Sequence, residues 1–195
     1  MAASLRFIPP CLPSIAKAPP AGADWLHQPK LDGYRLQAVK EGRTVRLYTK
    51  GGHDWSERLT ALADSLRAIP ARSAIIDGEL VMVDASGLPS FLKLHLRRGK
   101  RAAGLHLFAF DLLHMNGREV CAEPLVARQG RLATLLARSS VPVLHPVTSF
   151  EDGAALLAAA EEHGLEGIVS KRADLPYRSG KARSWLKIRV AATGR

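Results

Sequence analysis

Trp25-Leu26-His27-Gln28-Pro29-Lys30-Leu31-Asp32-Gly33-Tyr34-Arg35-Leu36-Gln37-Ala38-Val39 holds two short β-like runs, residues 25–29 and 34–39, on either side of a tight Leu31-Asp32-Gly33 stretch. A lysine stands at the joint. Gly33 lets the backbone turn sharply or lie close against a ligand. Arg35 carries a planar fork suited to a ribose or phosphate oxygen. An amine with a reference pKa of ~10.4 is a poor nucleophile while protonated. Desolvation, nearby cations or a metal-organised site favour its neutral form. Residues 44–49 follow a Glu41-Gly42-Arg43 turn, so they and residues 34–39 read as a hairpin.

Upstream, residues 8–22 are rich in proline and alanine. They read as an extended lead-in along a surface, neither helix nor strand. The folded unit is therefore expected over residues 24–191, with 1–23 as lead-in. Downstream, Leu59, Leu62, Leu66 and Ile69 fall at helical spacing and predict a helix over residues 56–68. Residues 74–83 are β-branched and apolar and break at 84–87, which predicts a strand. A short helix is expected over 91–97 and a buried strand over 105–113. A helix over 124–138 has Pro124 near its first turn. A short strand over 141–145 precedes an alanine-rich helix over 151–163, stopped by Gly164. Residues 167–171 and 185–190 read as the last two strands. Strands and helices mix without strict βαβ alternation, which predicts an α+β fold with mainly antiparallel sheets flanked by helices.

The net charge of +10 favours a polyanionic partner. Where the charges fall is more informative. Lys30, Asp77, Glu79, Asp111, Glu166, Lys171 and Lys187 sit inside apolar runs or at their ends. Buried charge is costly unless paired or ligand-bound. Three lysines with four carboxylates suit a phosphate-rich substrate with a divalent metal. Singly, each has a plainer reading: a surface lysine, a turn aspartate, a core phenylalanine. Cys11 and Cys121 are far apart and in no metal-ligand spacing, so reduced thiols are expected. His53, His95, His106, His114 and His145 suggest no metal set. Walker-type and Gly-x-Gly-x-x-Gly loops are absent, which leaves a P-loop or Rossmann reading unsupported. No apolar run approaches the ~20 residues of a membrane span. The proline-broken N-terminus is unlike a signal peptide, so a cytoplasmic protein, without a membrane partner, is expected.

Lys30-Leu31-Asp32-Gly33-Tyr34-Arg35 resembles the Lys-x-Asp-Gly-x-Arg signature of covalent nucleotidyltransferases, the DNA ligases, RNA ligases and capping enzymes. Four further blocks follow in the family's order: Asp77-Gly78-Glu79, Phe110-Asp111-Leu112-Leu113, Glu166-Gly167-Ile168-Val169-Ser170-Lys171, and Trp185-Leu186-Lys187-Ile188-Arg189. Thr49-Lys50-Gly51-Gly52-His53-Asp54-Trp55 and Pro176-Tyr177-Arg178-Ser179-Gly180 look most like the ligase domain of bacterial ligase D and its stand-alone relatives. The resemblance implies a covalent nucleotidyltransferase, ATP-grasp-like fold. It implies that Lys30 takes AMP from ATP and passes it to a DNA 5′-phosphate, after which a 3′-hydroxyl seals the nick. Asp32 would support the Lys30 region. Arg35 and Glu79 would hold the ribose, and Phe110 would stack on adenine, near Gln28. Lys171, Lys187 and Arg189 would meet the phosphates. Glu166 and Asp111 would hold Mg²⁺ or Mn²⁺, and Lys50 would touch DNA. The implied partners are ATP, nicked or broken double-stranded DNA and a Ku-like or other end-joining protein, at the bacterial nucleoid.

The chain departs from the ligase D pattern at several points. Gln28 replaces a glutamate, Pro29 is unusual, Lys50 replaces an arginine and Arg189 a lysine; the segment 124–128 lacks a glutamate before Arg128. No OB-fold domain is expected in the few residues after Arg189. An RNA ligase, a guanylyltransferase or a non-catalytic DNA-end-binding module are the alternative readings.

Overall fold

The computed structural model describes residues 4–83 and 104–190. The break expected at 84–87 and the helix expected at 91–97 lie outside the described residues. Ten strands form two sheets. The first has the order β1-β10-β9-β2, from β1 (Cys11–Ile15), β2 (Trp25–Pro29), β9 (Gly167–Arg172) and β10 (Gly180–Arg189). The second has the order β4-β3-β5-β6-β7, from β3 (Tyr34–Glu41), β4 (Thr44–Thr49), β5 (Ser73–Met82), β6 (Leu105–Met115) and β7 (Arg118–Glu119). A short β8 (Leu144–Pro146) adds to it beside β6. All pairings are antiparallel except β1 with β10 and β6 with β8. The fold is α+β and mainly antiparallel.

Helices α1 (Thr60–Leu66) and α2 (Leu125–Ala137) cover one face of the larger sheet. Their apolar stripes meet Leu36, Leu47, Ile76, Leu107 and Leu112 in one core cluster. Truncating such a wholly buried leucine to alanine costs about 2–5 kcal/mol, through lost transfer energy and the cavity left behind. The stripe of α2 contains one charged residue. Leu125, Arg128, Leu132 and Leu135 are its buried positions, and Arg128 is 0% exposed. Helix α3 (Gly153–Glu162) starts on Asp152, whose side chain accepts the Ala155 N–H at 2.9 Å. It packs Ala160 against Ile168 and Ile188 of the smaller sheet. A third cluster joins the two sheets through Cys11 and Trp185 on one side and Val39, Ile75 and Leu113 on the other.

The lead-in differs from its sequence reading. From Cys11 it is strand β1, parallel to β10 with a bulge between Pro13 and Ser14. Proline is tolerated there because the pairing is on a sheet edge and at a bulge. Before it, Gln37 exchanges two hydrogen bonds with the backbone of Ile8, and Glu41 accepts from Ser4 and from the Leu5 N–H. The segment is thus strapped to β3 and then added to the other sheet. The expected helix over 56–68 is regular only over Thr60–Leu66. Asp54 accepts from the Ser56 N–H and hydroxyl instead, a local turn that competes with a helical start.

Candidate active site

Between the sheets lies a cavity of about 570 Å³. Strand β2 delivers Lys30 to it. The Lys30 N–H donates to the Gly167 carbonyl at 2.9 Å, fixing the lysine against the start of β9. Gly167 has φ +147°, and a Cβ there would meet the Ile188 carbonyl oxygen at 2.0 Å, so glycine is required. Gly33 plays the same part across the other sheet: a Cβ would stand 2.2 Å from the Leu80 carbonyl oxygen. These two close approaches bring the strand ends together round the lysine.

Lys30 Nζ forms an ion pair with Glu166 Oε2, and Arg189 Nε lies 3.4 Å from Glu166 Oε1. The register Lys187↔Val169 and Trp185↔Lys171 sets the motif cations along the same wall. In all, Lys30, Arg35, Lys50, Lys171, Lys187 and Arg189 line the cavity against only two carboxylates, Glu79 and Glu166. A lining with that excess of cations favours an anionic ligand. Phe110, Trp185, Val147 and Val169 supply apolar wall, as a flat base requires.

Two lining groups have displaced protonation equilibria. Burial pushes the Glu79 carboxyl up to about 7, against the pull of Arg35 and Lys30. Burial also pulls the Lys171 ammonium down to about 7, a shift that Asp111 opposes and Arg35 reinforces. Lys171 Nζ stands 4.1 Å from the Phe110 ring centroid and 4.0 Å from that of Trp185, so two aromatic faces solvate it in part.

Not every motif charge faces the cavity. Asp111 is 0% exposed and does not line it. Both its oxygens accept from Arg128, at 2.8 Å each, and Oδ1 also accepts the Leu112 N–H. The Arg128 fork occupies the carboxylate that was expected to hold a metal. Arg35 lines the cavity, but its fork closes on Asp77 at 3.0 and 2.7 Å and its remaining arm donates to the Cys11 carbonyl. The fork expected to hold a ribose is thus engaged by Asp77 at the cavity wall. Tyr177 completes this group, donating to Asp77 at 2.8 Å and accepting the Cys11 N–H at 2.9 Å. Asp32 is exposed and stands outside the cavity lining. Lys50 is exposed at the rim, and Gln28 is buried with its side chain on the wall. Arg128 and Tyr177 were not singled out from the sequence. A lone arginine inside the apolar stripe of residues 125–135 was the available signal for the first.

Residues 11–189 match the family described as ATP dependent DNA ligase domain, and the chain belongs to that family. It is 38% identical over 187 residues to the multifunctional non-homologous end joining protein LigD of Pseudomonas aeruginosa, covering 94% of this chain and 22% of that protein. A probable DNA ligase of Beutenbergia cavernae is 36% identical, over 84% of this chain and 33% of its own length. Among solved structures, the mycobacterial DNA ligase D complexed with ATP and MES superposes with a TM-score of 0.80 at 30% identity, covering 92% of this chain and 59% of that one. The ligase domain from M. tuberculosis LigD gives 0.77 at 32% identity, covering 92% and 58%. The chain thus spans about a fifth of the first of these curated relatives and a third of the second. Membership of an ATP-dependent family implies use of ATP. Among the described residues no helix is long and apolar enough to cross a membrane.

Proposed function

We propose that this chain is the adenylation unit of an ATP-dependent DNA ligase of the ligase D kind. Lys30 Nζ attacks the α-phosphorus of ATP, the bond to pyrophosphate breaks, and AMP stays on Lys30 as a phosphoramidate. AMP then passes to the 5′-phosphate of nicked or broken double-stranded DNA, and the 3′-hydroxyl displaces it to join the strand. The observation that carries this reading is Lys30 paired with Glu166 in a cation-rich cavity with an aromatic wall.

Glu166 Oε2 is bonded to Lys30 Nζ, so it aims the amine and is the first acceptor for the proton that attack releases. Lys171, Lys187 and Arg189 offset the negative charge that develops on the departing pyrophosphate. Glu79 would meet the ribose hydroxyls, and Phe110 with Gln28 the base. Asp32 would steady the Lys30 turn from outside the cavity. Among the described residues no three His, Cys, Asp or Glu side chains gather into a metal set. Magnesium fits this, because it takes one or two carboxylates and fills its octahedron with phosphates and water; manganese takes the same hard donors. Glu166 would hold the ion, which would supply positive charge beside the reacting phosphate. Lys50 at the rim would meet the DNA backbone. Work in end joining is proposed from what the names of the LigD relatives say of them; a Ku-like or other end-joining partner and the nucleoid are proposed from the resemblance to ligase D alone.

The test is intact mass after incubation with ATP and Mg²⁺, followed by sealing of a nicked duplex. The expected result is a gain of one AMP. No gain in folded protein first shown free of AMP would overturn the adenylation reading.

A further inference from the structure

Gln28 is 2% exposed, yet it lines the cavity. Its amide is held in a chain of hydrogen bonds that leads away from the cavity. Gln28 Nε2 donates to Ser149 Oγ at 3.0 Å and approaches the Val147 carbonyl at 3.5 Å. The Ser149 hydroxyl donates to Gln129 Oε1 at 3.2 Å, and Gln129 Nε2 reaches the Phe110 carbonyl at 3.5 Å. Backbone carbonyls can only accept. One stands at each end of this chain, so its polarity is fixed. The Phe110 carbonyl turns the Gln129 nitrogen toward itself and its oxygen toward Ser149. Ser149 must then spend its proton on Gln129 and accept from Gln28. The Val147 carbonyl demands the same orientation of Gln28. Side-chain amides otherwise flip freely between their two hydrogen-bonding patterns.

Gln28 Oε1 is left as the other end. Among the described residues nothing donates to it, and no buried side-chain oxygen lacks a partner, so Oε1 opens on the cavity. It presents an acceptor in the cavity that Phe110 also lines.

We propose that Ser149 and Gln129 are positioning residues that lock the Gln28 amide with its oxygen toward the nucleotide base, and so select a purine with an exocyclic amino group over one with a carbonyl there. Adenine offers a donor to that oxygen. Guanine offers an acceptor, which meets Oε1 lone pair to lone pair and leaves both unpaired. This rests on the proposed use of the cavity for ATP. It goes beyond that use in assigning base choice to two residues that do not themselves line the cavity.

The experiment compares ATP and GTP for equilibrium binding and for AMP or GMP attachment, in wild type, Ser149→Ala, Gln28→Glu and the double variant. Ser149→Ala removes the shorter of the two contacts that hold the amide and leaves only the 3.5 Å approach to the Val147 carbonyl, so the flipped orientation becomes accessible. The expected result is a loss of about tenfold in the preference for ATP, with the loss in KM and not in kcat. A carboxylate is an acceptor at either oxygen, so Gln28→Glu makes orientation irrelevant. Ser149→Ala should therefore have no effect on preference in the Gln28→Glu background, a cancellation that mere structural damage would not give. Should Ser149→Ala not fold, Gln129→Ala breaks the chain one step further out and should lower the preference in the same direction. An unchanged ATP-to-GTP binding ratio in folded Ser149→Ala overturns the relay. Absence of attachment in every protein, with ATP still bound in preference, counts against the proposed adenylation and leaves the relay standing.

Discussion

Two sets of charges meet at this cavity, and their surroundings differ. At the mouth, Lys30 and Glu166 pair with side chains 23% and 30% exposed, and Arg189 reaches the same carboxylate from solvent. Deeper in, Arg128 and Asp111 are 0% exposed, and Arg35, at the cavity wall, closes on Asp77 with 11% and 1% exposed. The first pair can be parted by a ligand at modest cost, because water screens the freed charges. The second pair cannot, because either partner alone would be an uncompensated buried charge. The family signature contains both kinds of residue. In these two sets the shallow charges stay within reach of solvent and the deep ones are locked to each other.

The comparison predicts effects of different kind and size. Lys30→Ala should abolish AMP attachment altogether while the melting temperature stays near that of wild type; residual attachment in the mutant would break the assignment. Arg128→Ala should leave Asp111 buried and unpaired and cost about 3–5 kcal/mol in denaturant unfolding. A variant as stable as wild type would mean that Asp111 has another partner. The same measurement on Asp111→Asn should show lost stability, where a metal-ligand role would instead change only the metal dependence.

The Glu79 pKa is raised in the fold, so its contribution is full below the ordinary value of 4.5 and is lost as pH rises toward about 7. The Lys171 pKa is depressed, so its contribution is full above 10.5 and is lost as pH falls toward about 7. Together they make neutral pH the least favourable point for this wall. Stability of Glu79→Gln relative to wild type should therefore rise between pH 4.5 and 7, and a flat difference would contradict the burial of Glu79. The smallest effect is expected at the rim. Lys50→Ala should weaken DNA binding a few-fold and lower the salt slope by about 1, with AMP attachment intact.

Much of the frame was legible in the residues. The runs at 25–29 and 44–49 read as strands because polar turn residues bound them, and β2 and β4 occupy those limits. The α2 and α3 helices were visible in Pro124, in the alanine-rich run and in Gly164. Strand β1 was not, because a proline-rich segment gives no strand signal and gains its pairing only from β10, far along the chain. In the site, residue order identified the charged set, but not its partners. Asp111 and Glu166 look alike in sequence, each a carboxylate beside an apolar run. One is claimed by an arginine 17 residues on, and the other faces the cavity. Ser149 and Gln129 carried no signal, since their roles arise only where β2, α2 and the segment after β8 converge.

The central claim is that Lys30, and not one of the other cavity lysines, is the group that carries AMP. Protein incubated with ATP and Mg²⁺, digested under alkaline conditions that preserve a phosphoramidate, and mapped by tandem mass spectrometry tests it directly. The account predicts AMP on the peptide that contains Lys30 and nowhere else. AMP on Lys171, Lys187 or Lys50 would contradict it.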